Sequence, residues 1–591
     1  MSNIKLENIF NLRKLMKKKC IDGYIIPHHD ENFSEYVPKN KERLYWISGF
    51  SGSAGTLFIA HNQLFLFTDG RYILQAKNQT KNLKCKIINT AEYTLLDFLK
   101  DNQSKFNSIG IESKTISFSE YYNISSVISK STIKLKIINN NLIDFIWKRK
   151  LNTQDASKIF FLSQKYCGES IKRKLTKASN YLLKEKADFI FTQNSESIAW
   201  LFNMRGNDLP HTPLVFCSAL IGKNQQKLFF EDKNVPEKVK KKFPKQTGIY
   251  SYSEMNKVLK SSCKSSKVII DQKKLSLFNY NLLKKITKTL LVRDDILLSY
   301  RSIKNSTEIE CSKKAHLFDA VSLCKFLYWY KSYNGALSEL DVVNKINSLR
   351  KESAHFISPS FPTIAGAGEN GAIIHYQPNK KTNKNITNND ILLLDSGGQY
   401  FYGTTDVTRT ITRKKNIVKK NIIHDYTLVL KSHINVNLCK FPQGTPGSFL
   451  DSTARKILWD NGEDFAHSTG HGVGFCLNVH EGPFSISLKN LSPIYEKMIF
   501  SNEPGLYKTG KYGIRIENLV YTKIKYFNKK EFLTLETLTL VPYEKELIDV
   551  SLLSLVEKNW LNNYHENVIK NVSPYLNNKE KKWLKIQCKK I

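Results

Sequence analysis

The chain has 591 residues, too many for one hydrophobic core, since cores stop growing beyond ~250 to 300 residues. Apolar residues make up 41% and aromatics 12%, which excludes a disordered polymer and indicates several packed domains. The formal net charge of +37 attracts polyanions in principle, yet the lysines are dispersed in short runs (Lys17 to Lys19, Lys240 to Lys242, Lys380 with Lys381) among abundant Asn and Ile, as A/T-rich coding would produce, so no dedicated nucleic-acid partner is expected.

The N-terminal stretch MSNIKLENIFNLRKLMKKKC is charged throughout where a signal peptide needs an apolar run, and no uninterrupted apolar stretch of ~18 residues follows. Neither secretion nor membrane insertion is expected. The ten cysteines are scattered singly with no CxxC pair, which points to a reducing cytoplasm and to thiols serving as small apolar groups. From there to about residue 150, CIDGYIIP, YWISGFSGSAGTLFIA and QLFLFTDGRYILQA read as strands joined by tight turns. After a helix-like stretch the pattern restarts as DFIFTQNSESIAWLFNMRG and HTPLVFCSALIG, so residues 1–150 and 151–303 are expected to be two similar α/β units in tandem.

At Ser306 a Ser-Thr-Glu signal opens a long helical pattern, and a third domain is expected over 304–547. It ends near LETLTLVPYEKELI, and residues 548–591, with a Lys-rich end, read as a short helical extension. The third domain holds acids where acids are awkward. Asp395 ends the apolar run ILLLDSGGQY; Asp406 opens DVTRTIT, and a hairpin-like path between them brings the second Asp back toward the first. Glu503 follows the apolar MIFSN, and Glu517 alternates with Ile514 and Ile516 in GIRIENLVY. Buried without cations, four such carboxylates repel one another and resist ionisation. Two divalent ions balance their charge, and His471 in HSTGHGVG adds a nitrogen ligand. An oxygen-rich set of this kind favours Mn²⁺, with Co²⁺, Fe²⁺ or Zn²⁺ as alternatives. Gly470, Gly472 and Gly474 read as scaffold that permits close backbone approach.

In order along the chain, YWISGFSGSAGT, FTDGRYILQA, WLFNMRGNDLPHTP, GENGAIIHYQP, LLLDSGGQYFYGTTDVTRT, HSTGHGVGFCLNVHEGP, SNEPGLY, YGIRIEN and WLNNYH resemble the Xaa-Pro aminopeptidases of the pita-bread metallopeptidase family. The resemblance implies an α/β (α+β) architecture of two creatinase-like N-terminal domains and a pita-bread catalytic domain, working as a homodimer. Carried over by position, it implies metal ligation by Asp395, Asp406, His471, Glu503 and Glu517, auxiliary roles for His375, His467 and His480, and a site-lining Arg515. One departure stands out: Ser468 occupies the second place of His467-Ser468-Thr469-Gly470-His471, where the family usually has Gly.

The implied reaction is hydrolysis of the bond between an N-terminal residue and a following proline by a metal-bridging hydroxide. Glu503 handles the proton, His375, His480 and His467 line the reacting centre, Tyr376 walls an apolar proline pocket, and Arg71 of TDGRY reaches toward substrate. Methionine aminopeptidases share the five-ligand centre, but the tandem N-terminal region and GENGAIIHYQP favour the proline branch. A catalytically dead binding protein of this fold is the other alternative, opposed by the presence of all five ligands.

Overall fold

The computed structural model describes residues 2–149, 159–231, 235–413 and 419–591; the expected boundary at 150/151 lies outside them. Two compact units emerge. One comprises Met1–Leu162, Glu169–Pro210 and Leu214–Leu297, and the other Ser163–Gly168, His211–Pro213 and Leu298–Ile591.

The first unit contains two six-stranded sheets. Strands β1 (Gly23–Pro27), β2 (Thr56–Ala60), β3 (Leu64–Thr68), β4 (Lys86–Asn89), β5 (Ser108–Glu112) and β6 (Lys134–Ile138) lie in the order 4-3-2-1-5-6. Strands β7 (Phe189–Thr192), β8 (Cys217–Gly222), β9 (Gln226–Phe230), β10 (Thr247–Ser251), β11 (Lys267–Ile270) and β12 (Thr289–Val292) lie in the order 10-9-8-7-11-12, the same permutation. The pairing senses also match: the β1–β2–β3 and β7–β8–β9 meanders are antiparallel and the remaining neighbours parallel. Parallel strands need covered faces, which is why both sheets read as near-continuous apolar runs. The repeated texture of the sequence is thus a repeated topology. Arg71 belongs to this unit, where its guanidinium donates to both carboxylate oxygens of Asp69 at 2.9 and 2.8 Å.

The second unit opens with α1 (Ser306–Ser332), whose N-cap is Asn305 with Glu308 closing a capping box, and α2 (Glu339–Arg350), capped by Ser338 with Asp341. These helices pack with α3 (Lys420–Leu438) and α4 (Gly447–Trp459) around antiparallel strands. Strands β13 (Phe356–Pro359), β16 (Gly398–Tyr400) and β17 (Gly403–Thr404) make one small sheet; β14 (Ile364–Ala367), β15 (Ile391–Ser396) and β18 (Val407–Thr412) make another with β15 central. A six-stranded sheet runs β19 (Lys440–Phe441), β26 (Lys530–Thr537), β25 (Asn518–Phe527), β22 (Ile499–Asn502), β20 (Gly470–Gly472), β21 (Glu481–Ile486), and β23 (Gly505–Lys508) pairs with β24 (Tyr512–Arg515).

The last two helices, α5 (Leu555–Val572) and α6 (Asn578–Gln587), are integral to this unit. Leu561, Tyr564, Val568, Val572 and Leu584 are buried in the same core as Ile391, Leu392 and Leu394 of β15. Truncating one such Leu to Ala costs about 2 to 5 kcal/mol, so this end of the chain is structural rather than an appendage.

Candidate metal centre

Strand register builds the site. Asp395 lies on central strand β15 between Ile364 on one neighbour and Thr408 on the other, and Ser396 pairs with Val407, so Asp406 emerges immediately beyond the ladder. The connection between the two aspartates is the β16–β17 excursion, not a tight hairpin; the β15–β18 pairing does the work expected of a turn. Glu503 leaves the end of β22, and Glu517 sits between β24 and β25 with its amide donating to the Thr408 carbonyl at 3.1 Å. His471 occupies β20, where a register shift follows it.

These side chains converge. His471 Nδ1 bonds the Gly472 carbonyl at 3.0 Å, which makes that nitrogen the donor and leaves Nε2 with its lone pair, 3.5 Å from Asp406 Oδ2 and 3.4 Å from Glu503 Oε1. Ligand atoms of Asp406, His471 and Glu517 all lie within 4.8 Å of one another. Arg515, fully buried, donates to Asp395 Oδ2 at 2.6 Å and to Tyr507 OH at 2.7 Å, with its Nε 3.2 Å from Thr408 Oγ1.

One oxygen of each buried carboxylate is left over. Asp395 Oδ1, Asp406 Oδ1 and Glu517 Oε1 are inaccessible and have no hydrogen-bond partner among the described residues. Burial drives the Asp406 carboxyl well above its ordinary value, and the Asp395 and Glu503 charges add to it. Glu517 is driven the same way by burial and by Asp406, Glu503 and Asp395. Three partnerless buried oxygens beside an imidazole lone pair are a penalty without a cation and a ligand set with one, so the residues fit divalent metal.

The auxiliary residues separate by position. The His480 ring stands edge-on to His471, centroids 4.3 Å apart, and the adjacent Glu481 is fixed by Arg301 at 2.5 Å and by Lys304. His467 Nε2 meets Tyr507 OH at 2.8 Å, giving a continuous chain from His467 through Tyr507 and Arg515 to Asp395. His375 is half-buried beyond the turn Gly368–Ala372, and that turn presses on β24: a Cβ on Gly513 would fall 1.8 Å from the Gly371 carbonyl oxygen. Tyr376 is buried, its hydroxyl hydrogen-bonded with Glu339, Asn370 and the Thr382 carbonyl, and its ring packs with Ile364 and Leu393. Tyr507 packs against the same cluster.

Three participants escape sequence reasoning. Thr408 Oγ1 donates to Glu517 Oε2 at 2.8 Å, and Ser501 Oγ accepts from the His471 amide at 2.9 Å while donating to Glu503 Oε1 at 3.2 Å. Both are available from the two-residue period of a strand, since Thr408 lies two places after Asp406 and Ser501 two before Glu503. Tyr507, the link between His467 and Arg515, carries no comparable signal.

Comparison with known proteins identifies the family. Residues 310–523 match metallopeptidase family M24, 9–140 and 150–308 match the creatinase/prolidase N-terminal domain, and 531–591 match the C-terminal region of the same peptidases. Xaa-Pro aminopeptidase 1 of Dictyostelium discoideum is 36% identical over 99% of this chain and 96% of its own length. A probable Xaa-Pro aminopeptidase P of Sordaria macrospora is 36% identical over 95% of each. The solved X-prolyl aminopeptidase of Caenorhabditis elegans, described as a cytosolic enzyme with a di-nuclear active site, superposes with a TM-score of 0.93 at 30% identity, covering 99% of this chain and 100% of that one. Two creatinase-like domains and a pita-bread metallopeptidase domain are therefore established, as the motifs implied. The chain belongs to the Xaa-Pro aminopeptidases of metallopeptidase family M24.

Proposed function

We propose that this chain is an aminopeptidase that releases the N-terminal residue of peptides with proline in second position, using two divalent ions held by Asp395, Asp406, His471, Glu503 and Glu517. The observation that carries this is the set of three partnerless buried carboxylate oxygens beside the His471 nitrogen, in a chain alike over nearly its whole length to Xaa-Pro aminopeptidases. Bound there, the ions supply Lewis acidity and water of near-neutral pKa; the oxygen-rich donor set favours Mn²⁺, with Co²⁺, Zn²⁺ or Fe²⁺ compatible.

The chain's own groups do the rest. Glu503, held by Ser501, takes the proton of the attacking water and passes it to the imide nitrogen, which as a tertiary leaving group must be protonated to depart. His480, braced against His471, and His375 hold the carbonyl oxygen and the departing nitrogen as charge develops. His467 and Arg515, joined by Tyr507, form a wall of the same pocket, backed by Tyr376. No helix among the described residues is long and apolar enough to cross a membrane, and ten cysteines without a disulfide among the described residues suit a cytosolic enzyme. Half-exposed Phe449 and exposed Leu491, each next in the chain to a member of the backbone pair in which the Ser448 amide donates to the Asn490 carbonyl at 3.2 Å, offer apolar surface for a homodimer.

The test is hydrolysis of an Arg-Pro-Pro peptide beside a Met-Ala-Ser peptide, with Mn²⁺, with chelator, and in Glu503→Gln. Cleavage before proline alone, abolished by chelation and reduced about 10² to 10⁴-fold in the variant, is the expected result. Cleavage only after Met would move the enzyme to the methionine-removing branch, and no hydrolysis with any divalent ion would mark a binding protein.

A further inference from the structure

Behind the metal ligands, on the opposite face of β18 and β25, lies a polar shell with a single charge. Arg409 follows Thr408 on β18 and is 2% exposed. Its guanidinium spreads its N–H groups over six neutral oxygens. Nη1 donates to the carbonyls of Glu517 at 2.6 Å and Thr408 at 2.9 Å, Nε to Pro542 at 3.1 Å, and Nη2 to Asn518 Oδ1 at 2.8 Å, the Val541 carbonyl at 2.7 Å and Tyr564 OH at 3.1 Å. Among the described residues no carboxylate stands within 4.0 Å of it, although a buried cation is ordinarily paired.

The shell grips the residues next to two ligands. Asn518 follows Glu517, Asn502 precedes Glu503, and the two asparagines face each other across the β22–β25 ladder. Asn518 Nδ2 donates to Tyr543 OH at 2.7 Å, the Tyr543 ring lies 4.5 Å from the Arg409 guanidinium carbon, and His433 bonds both Tyr543 OH and the Asn502 carbonyl at 3.0 Å. His433 and His565 flank Tyr543, and burial first, then the Arg409 charge, pushes both down to about 3, so both are neutral. Tyr564, on α5, ties this assembly to the C-terminal helices.

We propose that Arg409, seated by Tyr543 and by Tyr564 of the C-terminal helix α5, is a positioning residue that sets the Glu517 and Thr408 backbone for metal binding, which makes the C-terminal region part of the metal-retaining structure. The proposal rests on the assignment of Glu517 as a ligand. Six neutral acceptors satisfy the guanidinium, and its hold on the Glu517 carbonyl fixes the direction in which that side chain leaves the backbone.

The test is titration of the metal-depleted full chain with Mn²⁺, following free ion by paramagnetic resonance, with circular dichroism to verify the fold. Arg409→Met is expected to weaken Mn²⁺ binding about 10- to 100-fold, as loss of groups that orient metal ligands does, with Arg409→Lys restoring part of it. Tyr564→Phe, which removes one hydroxyl, is expected to weaken it about 2- to 10-fold. Should Arg409→Met fail to fold, Tyr564→Phe decides. Folded variants that bind Mn²⁺ as tightly as the parent, even with a lowered Tm, overturn the proposal. A parent chain that binds no divalent ion overturns the metal-site assignment itself, and this proposal with it.

Discussion

The carboxylates of the candidate metal centre are not the only ones held out of water. Glu112, at the end of β5, is 3% exposed and its Oε2 has no hydrogen-bond partner among the described residues; burial raises it from 4.5 to about 7. Arg43, which pulls the other way, is already engaged by Glu31 and Asp144. The folded chain therefore keeps a proton that the unfolded chain has released, so the contribution of Glu112 is intact below pH ~4.5, declines as pH rises to ~7, and is a constant penalty above. A displacement of this size corresponds to on the order of 3 kcal/mol. Glu112→Gln is accordingly expected to gain stability over the parent at pH 8.5 and to lose most of that advantage at pH 5. Urea unfolding read from tryptophan fluorescence, to which the stacked Trp46 and Trp147 of the same domain contribute, measures it. An advantage that does not change with pH would mean that Glu112 ionises freely in the folded state.

At the scale of the element, the segment His467–His471 separates what backbone geometry forbids from what it tolerates. A Cβ on Gly470 would fall 2.0 Å from the Ser501 carbonyl oxygen, so Gly470→Ala has to push β20 off β22, and His471 moves with it. A 1 Å displacement costs about 10²-fold in rate, and a loss of at least that size in kcat/KM is expected with Mn²⁺ present. Ser468 is the opposite case. Its φ is not positive, and the bond from His467 Nδ1 at 2.8 Å uses its carbonyl, which any residue supplies. Ser468→Gly is expected to change kcat/KM by less than about threefold, since Gly adds only backbone freedom of about 0.5 to 1 kcal/mol. The departure from the family pattern at this position is therefore expected to be neutral, and a large effect of Ser468→Gly would contradict that.

The same elements show why part of the site is legible in the sequence and part is not. Carboxylates at the ends of apolar strands stand out because burial makes them costly, which marks Asp395, Asp406, Glu503 and Glu517 but also Glu112, and the order of the motifs separates the four from the fifth. Thr408 and Ser501 look ordinary one at a time, and only the strand period ties them to the ligands. Arg409 is hidden because a lone Arg in DVTRTIT reads as a solvated side chain, and its six acceptors come from segments more than a hundred residues away as well as from its own neighbour. The C-terminal helices read as an extension because Asn and Lys interrupt their apolar positions, yet Leu561, Tyr564, Val568 and Val572 recur at helical spacing and are all buried.

At the scale of the whole molecule, the net charge of +37 and the apolar face at Phe449 and Leu491 make opposite demands on salt. Adsorption to a polyanion is driven by counterion release and weakens as salt rises. Association of two copies brings like charges together, so screening favours it, while the apolar contact itself is indifferent to Coulomb repulsion. If the dispersed lysines form no dedicated site, retention on heparin is expected to disappear as salt is raised from about 50 mM toward 500 mM, where the Debye length falls well below 10 Å. Over the same range the proposed dimer, followed by sedimentation, is expected to tighten. Leu491→Glu, which places a charge in the apolar contact, is expected to yield monomer at every salt concentration with the fold intact, because Leu491 is 76% exposed in the single chain and contributes nothing to its core. A dimer that loosens with salt, or one untouched by Leu491→Glu, would place the interface on a different and polar surface.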